Sequence, residues 1–252
     1  LAVAGIHALL LLRDPLNGFH RRALTLGLLV GAPAALLQPL SGDLSARNLA
    51  EYQPTKLAAA EALFETRAEA PLTIGGWPDL AARRTRFAIE VPYGLSLLAH
   101  HDPHAVVAGL DQTPEADWPN VPVVHLAFQV MVGLGTAMAL VAAWGLWALA
   151  TRRNLAEQRW LLRAIAAAGP LGFVAIEAGW TVTEVGRQPW IIQGILRTSD
   201  AVTPMPGLTW TFAGFTALYL FLGLVVAWLL YAQVIRSPRH TDWHRLYHPT
   251  GG

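Results

Sequence analysis

Apolar residues in this chain come in long blocks separated by charged or proline-rich sequence, without the stripes of a surface helix or the alternation of a half-buried strand. The blocks run from Leu24 to Leu40, Val121 to Ala150, Leu161 to Val182 and Leu208 to Val234. Each reaches or approaches the roughly 20 residues that a helix needs to cross a bilayer. Leu24 to Leu40 is short and contains Pro33, which predicts a kinked span that borrows flanking residues. The chain opens LAVAGIHALLLLRD, apolar but half as long and without the basic start of a signal peptide. It reads as the tail of a further span, and the sequence as a fragment. The expected architecture is an all-α integral membrane bundle of about five transmembrane helices, the first truncated. Residues 1–40 hold the truncated span and one full span, 41–120 an extracytoplasmic loop, and 121–252 three spans with a cytoplasmic tail.

Orientation follows from arginines in the short connections. Arg13, Arg21 and Arg22, then Arg152, Arg153, Arg159 and Arg163, and finally Arg236, Arg239 and Arg245 mark the cytoplasmic side. The segments Ser41 to Asn120 and Glu184 to Gly207 then face outward. Arg83, Arg84 and Arg86 lie in the long outer segment, but long loops translocate largely regardless of charge. A connection of about eighty residues is far above the usual loop length and points to a binding loop or a small lobe. Within it, TKLAAAEALFETR from Thr55 to Arg67 predicts a helix, with Pro54 just before its start and Lys56, Ala60 and Phe64 on one side.

Composition sharpens this picture. The chain has 252 residues, 54% of them hydrophobic and 14% charged, against about 25% charged in an ordinary soluble domain. A net charge of +1 gives no reason to expect nucleic acid. Without cysteine, a metal must be held by His, Met or carboxylate, or arrive inside a cofactor.

The most informative stretch is GWTVTEVGRQPW from Gly179 to Trp190. Trp180, Glu184 and Arg187 stand at i, i+4 and i+7, on one helical face at the end of an apolar run. A carboxylate there is paired, protonated, bound to a metal or part of a proton path; the plain alternative is an interfacial Trp with a snorkelling Arg and a Glu partner. Glu177, seven residues before Glu184, lies on nearly the same face and suggests a relay. Met131, in FQVMVGLG, is core filler by default and a thioether ligand to haem iron by alternative. Gly133 and Gly135 beside it leave room for a flat macrocycle or a neighbouring helix. Gln129 could reach a propionate or a neighbouring carbonyl. Of the histidines, His100, His101 and His104 read as a solvated cluster, and His20, His240, His244 and His248 as exposed. His7 and His125 could be ligands, though a satisfied buried histidine is commoner.

Four separated stretches resemble subunit I of the cytochrome bd-type quinol oxidases, including their cyanide-insensitive relatives. They are GDLSARNLAEYQPTKLAAAEALFET from Gly42, FQVMVGLG from Phe128, GWTVTEVGRQPWIIQGILRT from Gly179, and the closing span with LLYAQV. The resemblance covers essentially the whole chain but about the later half of a full subunit. It implies that Met131 supplies the axial sulfur of a low-spin haem b, and that Glu184 ligates a high-spin haem with Trp180 nearby and Arg187 close to the propionates. It implies that Lys56 and Glu61 are the pair in the outer quinol loop that positions and deprotonates quinol, and that Glu184 is catalytic at the oxygen-reducing centre. Gln129 stands where some members have arginine, and the loop is of the short kind. The histidine opposite Met131, the first four spans and their ligand to the other high-spin haem fall before Leu1.

These readings combine into part of a terminal oxidase of the bacterial cytoplasmic (inner) membrane, oxidising quinol on the outer side and reducing dioxygen to water. The implied cofactors are a low-spin haem b, a high-spin haem b, and haem d or a third haem b. The implied partners are oxidase subunit II, a small single-span subunit, quinol and membrane lipid. As a fragment it is expected to be inactive alone. The rival readings are a non-catalytic membrane scaffold or assembly module derived from that subunit, and a proton-coupled transporter using Glu177 and Glu184.

Overall fold

Each long apolar block becomes a helix whose ends are set by local chemistry. The computed structural model describes residues 1–235; the arginine- and histidine-bearing tail named above lies outside the described residues. Helix α1 spans Ala2–Arg13 and α2 spans Gly18–Tyr52, where Asn17 caps the start by accepting from the backbone N–H groups of Phe19 and His20. Helix α2 does not stop near Leu40. It carries Pro33 and Pro39 inside it and runs on through the polar sequence to Tyr52, so its last three turns leave the apolar zone as a rod.

After the loop come α5 (Val121–Ala150) and α6 (Arg159–Gly186). Asn120 caps α5 by accepting from Val123 N–H at 3.3 Å, and Pro122 sits in the first turn, where its missing N–H costs nothing. Helix α7 (Leu208–Leu230) runs into a π turn at Tyr231–Ile235, and none of its residues is buried. Helices α2, α5, α6 and α7 are long and apolar enough to cross a membrane, and α1 is a shorter apolar helix.

The loop is an ordered lobe. Helix α3 (Pro54–Glu61) leads into three nested antiparallel pairs. Strand β1 (Arg67–Ala68) pairs with β6 (Val106–Val107), β2 (Leu72–Ile74) with β5 (Ile89–Val91), and β3 (Trp77–Asp79) with β4 (Arg84–Arg86). The innermost turn is held by Asp79, which accepts from Ala82 N–H at 3.0 Å and pairs with Arg86. Helix α4 (Gly94–His100) fills the return between β5 and β6. A final pair, β7 (Trp190–Ile192) with β8 (Leu196–Arg197), follows α6.

Two separate apolar cores hold these parts together. One, at the end away from the lobe, joins Ala4, Ala8 and Leu11 of α1 to Leu24 and Leu28 of α2, Ala148 of α5 and Leu161, Leu162 and Ile165 of α6. The other joins α3 to the lobe and to Val121, Val124 and Val182. Between them α5 has no buried residue from 126 to 141, and α6 none from 170 to 181. This uncovered waist positions the candidate site.

Close approach of α1 to α6 depends on Gly5. A Cβ there would sit 2.9 Å from the Gly169 Cα and 3.1 Å from the Ile165 carbonyl oxygen, both backbone atoms. Gly5→Val must push the helices apart and is expected to cost about 1–3 kcal/mol. The measurement is the thermal stability of the detergent-solubilised protein, with Gly42→Ala as a control, since nothing lies within 4 Å of a Cβ at that position.

Candidate functional site

Helix α3 carries its two ionisable residues inward. The run Ala58, Ala59, Ala60 is small enough for the helix to sink against α5, and both Lys56 and Glu61 are buried with it. Their charged ends have different neighbours. The Lys56 stem lies over the last turn of α6, its Cγ 3.1 Å from where a Gly186 Cβ would be, with Val124 on the other side. A side chain at 186 would crowd the lysine stem and Val124. The ammonium donates to Gln53 Oε1 at 3.3 Å. Burial pulls it below the ordinary lysine range, the charge of Glu184 pushes it back up, and that of Arg187 pulls it down again. Lys56 therefore feels the charged end of α6.

Glu61 is fully buried. Its Oε2 accepts from Thr73 N–H at 3.3 Å, while Oε1 has no hydrogen-bond partner. Burial pushes its carboxyl up to about 7, opposed in part by the Thr73 N–H. An unpartnered oxygen on a buried acid is costly unless something uses it.

Two residues of α5, one turn apart, reach the same segment at the end of β2. Gln129 donates from Nε2 to the Thr73 carbonyl at 2.8 Å and accepts from Gly75 N–H at 2.9 Å. The side chain placed by resemblance in the low-spin haem pocket thus spends its amide on the loop, the neighbouring-carbonyl alternative of the sequence reading. His125 is fully buried, with Nδ1 2.8 Å from the Ala60 carbonyl and Nε2 3.1 Å from that of Gly75.

On the waist, Met131 points at α6: its Sδ lies 3.1 Å from an ideal Cβ on Gly179. Gly133 and Gly135 have nothing within 4 Å on their open side. Trp180, Glu184 and Arg187 share one exposed face of α6, as their spacing predicts, and Glu184 pairs with Arg187 at 2.5 Å. Glu177 is exposed one turn before Trp180. The turn after α6 is fixed by Trp190 N–H to Arg187 carbonyl (3.0 Å) and Thr198 N–H to Pro189 carbonyl (2.9 Å), around a cis Gln188–Pro189 bond. Arg197 then reaches across to Asp117 at 2.6 Å and stacks over Trp190, which ties this hairpin to the lobe.

The histidines sort differently from a metal cluster. His101 binds Asp43 at 3.0 Å and His104 binds Glu69 at 2.8 Å. His20 is half-buried, its Nδ1 3.1 Å from that of His7, rather than fully exposed. Among the described residues no group of three or more His, Asp or Glu side chains gathers to hold a bare ion. A thioether on the open waist, and a carboxylate just beyond it whose ion pair with Arg187 is exposed, suit iron whose other ligands come from a macrocycle. Sequence reasoning missed the grip of His125 and the Asp117–Arg197 tie, and left Gln129 open between a propionate and a neighbouring carbonyl. The i, i+4 spacing of His125 and Gln129 was the available signal.

A family model described as cytochrome bd terminal oxidase subunit I matches residues 1–238. A Bacillus subtilis (strain 168) chain bearing the name of a cytochrome bd menaquinol oxidase subunit I is 42% identical over 228 residues, which is 89% of this chain and 50% of that one. The cytochrome bd ubiquinol oxidase subunit 1 of the same organism is 33% identical over 96% of this chain and 54% of its own length. The solved structure of bd oxidase from Geobacillus thermodenitrificans superposes with a TM-score of 0.81 at 39% identity, covering 94% of this chain and 54% of that one. The chain spans about half the length of the relatives it matches.

Proposed function

The chain belongs to the cytochrome bd terminal oxidase subunit I family, and from that premise we propose that it forms part of a haem-carrying quinol oxidase of the bacterial cytoplasmic membrane. In this reading the lobe lies on the outer side and binds quinol, and the whole complex reduces dioxygen to water. The observation that carries it is Glu61: a fully buried carboxyl with one oxygen unpartnered, poised near neutrality. Oxidation of a quinol releases two electrons and two protons, so a base held near pH 7 inside an apolar lobe is the chemistry required. Ionised, Glu61 accepts a hydroxyl proton at Oε1; Lys56 offsets the negative charge left on the quinol oxygen.

Met131 would hold a low-spin haem b, and Glu184 a high-spin haem, b or d, with Trp180 against it and Arg187 near its propionates. Bound haem would supply the electron-accepting and oxygen-reducing iron. The residues around it keep the site open to a planar group: glycines at 133 and 135 on α5, and the exposed Trp180 face of α6. Subunit II and a small single-span subunit are the partners this reading requires, and the quinone is left open between the two kinds named in the relatives.

The test is the reduced-minus-oxidised spectrum of the assembled complex with Met131→Leu. Loss of the low-spin band, with the remaining haem retained, is the expected outcome. A membrane scaffold derived from the same subunit gives no haem band before or after the substitution, and that result replaces the oxidase reading.

A further inference from the structure

The hairpin that follows α6 is held by its own bonds and by one long-range tie. Trp190 N–H donates to the Arg187 carbonyl, Thr198 N–H to the Pro189 carbonyl, and the Thr198 hydroxyl to Gln188 Oε1 at 2.8 Å. Strands β7 and β8 pair Trp190 with Arg197, and the guanidinium lies over the indole at 4.5 Å. All of these contacts stay within residues 187–198. Among the described residues, the one hydrogen bond or ion pair from this hairpin to the lobe runs from Arg197 Nη2 to Asp117 Oδ1, at 2.6 Å. The Asp117 side chain is only 14% exposed, which sets this charge-assisted bond apart from loose surface pairs.

Both ends of the tie lead back to the candidate site. On the lobe side, Asp117 is fixed in a short 3₁₀ turn by its own N–H to the Pro114 carbonyl, and Trp118 donates its indole N–H to the Leu110 and Thr113 carbonyls. Thr113 in turn meets Thr55, the residue before Lys56, hydroxyl to hydroxyl at 2.8 Å. On the other side, Trp190 is bonded to Arg187, which pairs with Glu184. The ring closes at Lys56, whose stem crosses Gly186 and whose ammonium feels the charges of Glu184 and Arg187. Beyond Gly186 helical bonding stops, so the course of the turn from Arg187 to Trp190 depends on what holds its far end.

We propose that Arg197 and Asp117 are positioning residues: their ion pair straps the turn after α6 to the lobe and so holds the Arg187 guanidinium at a fixed place beside Glu184 and Lys56. The function of the strap rests on the quinol oxidase reading above; its geometry does not. In that reading Arg187 lies near the propionates of a haem that Glu184 ligates, and a positive charge held beside iron favours the reduced state. Without the strap the guanidinium spreads over several positions, and its field at the iron and at Lys56 weakens. The groups that present Glu61 are untouched, because its bond to Thr73 and the grip of Gln129 on Thr73 and Gly75 lie elsewhere in the lobe. The strap therefore bears on turnover after quinol is bound, and not on the binding itself.

The experiment uses the assembled complex and reads amide exchange of Trp190 and Thr198, the midpoint potential of the high-spin haem, and quinol kcat and KM separately. Arg197→Gln and Asp117→Asn are each expected to speed hairpin exchange at least about tenfold and to shift that potential downward with haem content retained. Each should lower kcat between about tenfold and about a hundredfold while KM changes less than about twofold. The double variant is expected to match the singles, since the same interaction is lost only once. Arg197→Lys keeps the charge without the planar fork and should fall between them and wild type. Asp200→Asn, which removes an exposed acid from the same segment, is the control and should behave as wild type. Faster exchange with wild-type potential and kcat makes the pair a structural tie only and overturns the proposal. Additive losses in the double variant, an equal loss in Asp200→Asn, or failure of every tie variant to assemble overturns it too. A wild-type complex without haem bands and quinol turnover sinks the oxidase reading and the strap's function with it; slow hairpin exchange that Arg197→Gln abolishes would then leave the strap as geometry alone.

Discussion

Glu184→Ala in the assembled complex is expected to lower oxygen reduction by about a hundredfold or more, with loss of a high-spin haem signal and with the fold intact. This carboxylate has little structural role. Glu184 pairs with Arg187 three residues on, at 2.5 Å, but both side chains are about half exposed, at 53% and 42%. An exposed pair of this kind contributes little to stability. Its side chain packs into neither core. A large functional loss on a variant that still assembles therefore reports on what the carboxylate binds. Arg187→Gln provides the contrast, because it removes the pairing charge and leaves the candidate ligand in place, and should cost activity while keeping the haem. Glu184→Ala with unchanged haem content and unchanged oxygen consumption would remove the basis for placing a haem on α6.

Helix α5 was legible to the residue. Val121 to Ala150 is bounded by Asn120 and Pro122 on one side and Thr151–Arg152 on the other, so apolar content, cap and breaker agree. Helix α2 was legible only across its apolar part, because the chain beyond Leu40 is polar yet helix-compatible. A helix leaving the apolar zone keeps its hydrogen bonds whether or not its side chains are greasy, and hydropathy cannot see that continuation.

In the loop, the charges at 56 and 61 read as a helix with polar residues, and their burial did not show. What sinks α3 is the row Ala58, Ala59, Ala60 meeting Val121 and Val124 of a helix some sixty positions away. The site residues on α6 shared their predicted face because i, i+4 and i+7 are a local property. The partners of His125 and Gln129 are backbone atoms of a segment about fifty residues earlier. No local pattern encodes such a pairing.

Replacing Glu61 tests the other half of the site. Glu61→Gln is expected to lower quinol turnover about 10²- to 10⁴-fold, the usual range for loss of a general base, and to remove a pH dependence that wild type shows. Burial holds this carboxyl protonated below about 7. Turnover limited by the ionised form should therefore fall tenfold per unit of pH on the acid side and level off above about 7. The sign of the stability effect runs the opposite way. Because the folded chain raises this group above the ordinary carboxylate value, it binds a proton that the unfolded chain has released. Stability from this group is complete below the ordinary value and is lost as pH rises through about 7. The loss is on the order of a few kcal/mol. A neutral glutamine escapes that loss, and its oxygen can still accept from Thr73 N–H. The Glu61→Gln complex should thus be at least as heat-stable as wild type above neutral pH while turning over quinol far more slowly. If it is instead both unstable and slow, Glu61 serves the fold of the lobe. If it is stable and fast, the proton leaves quinol by another route and the lobe binds its substrate elsewhere.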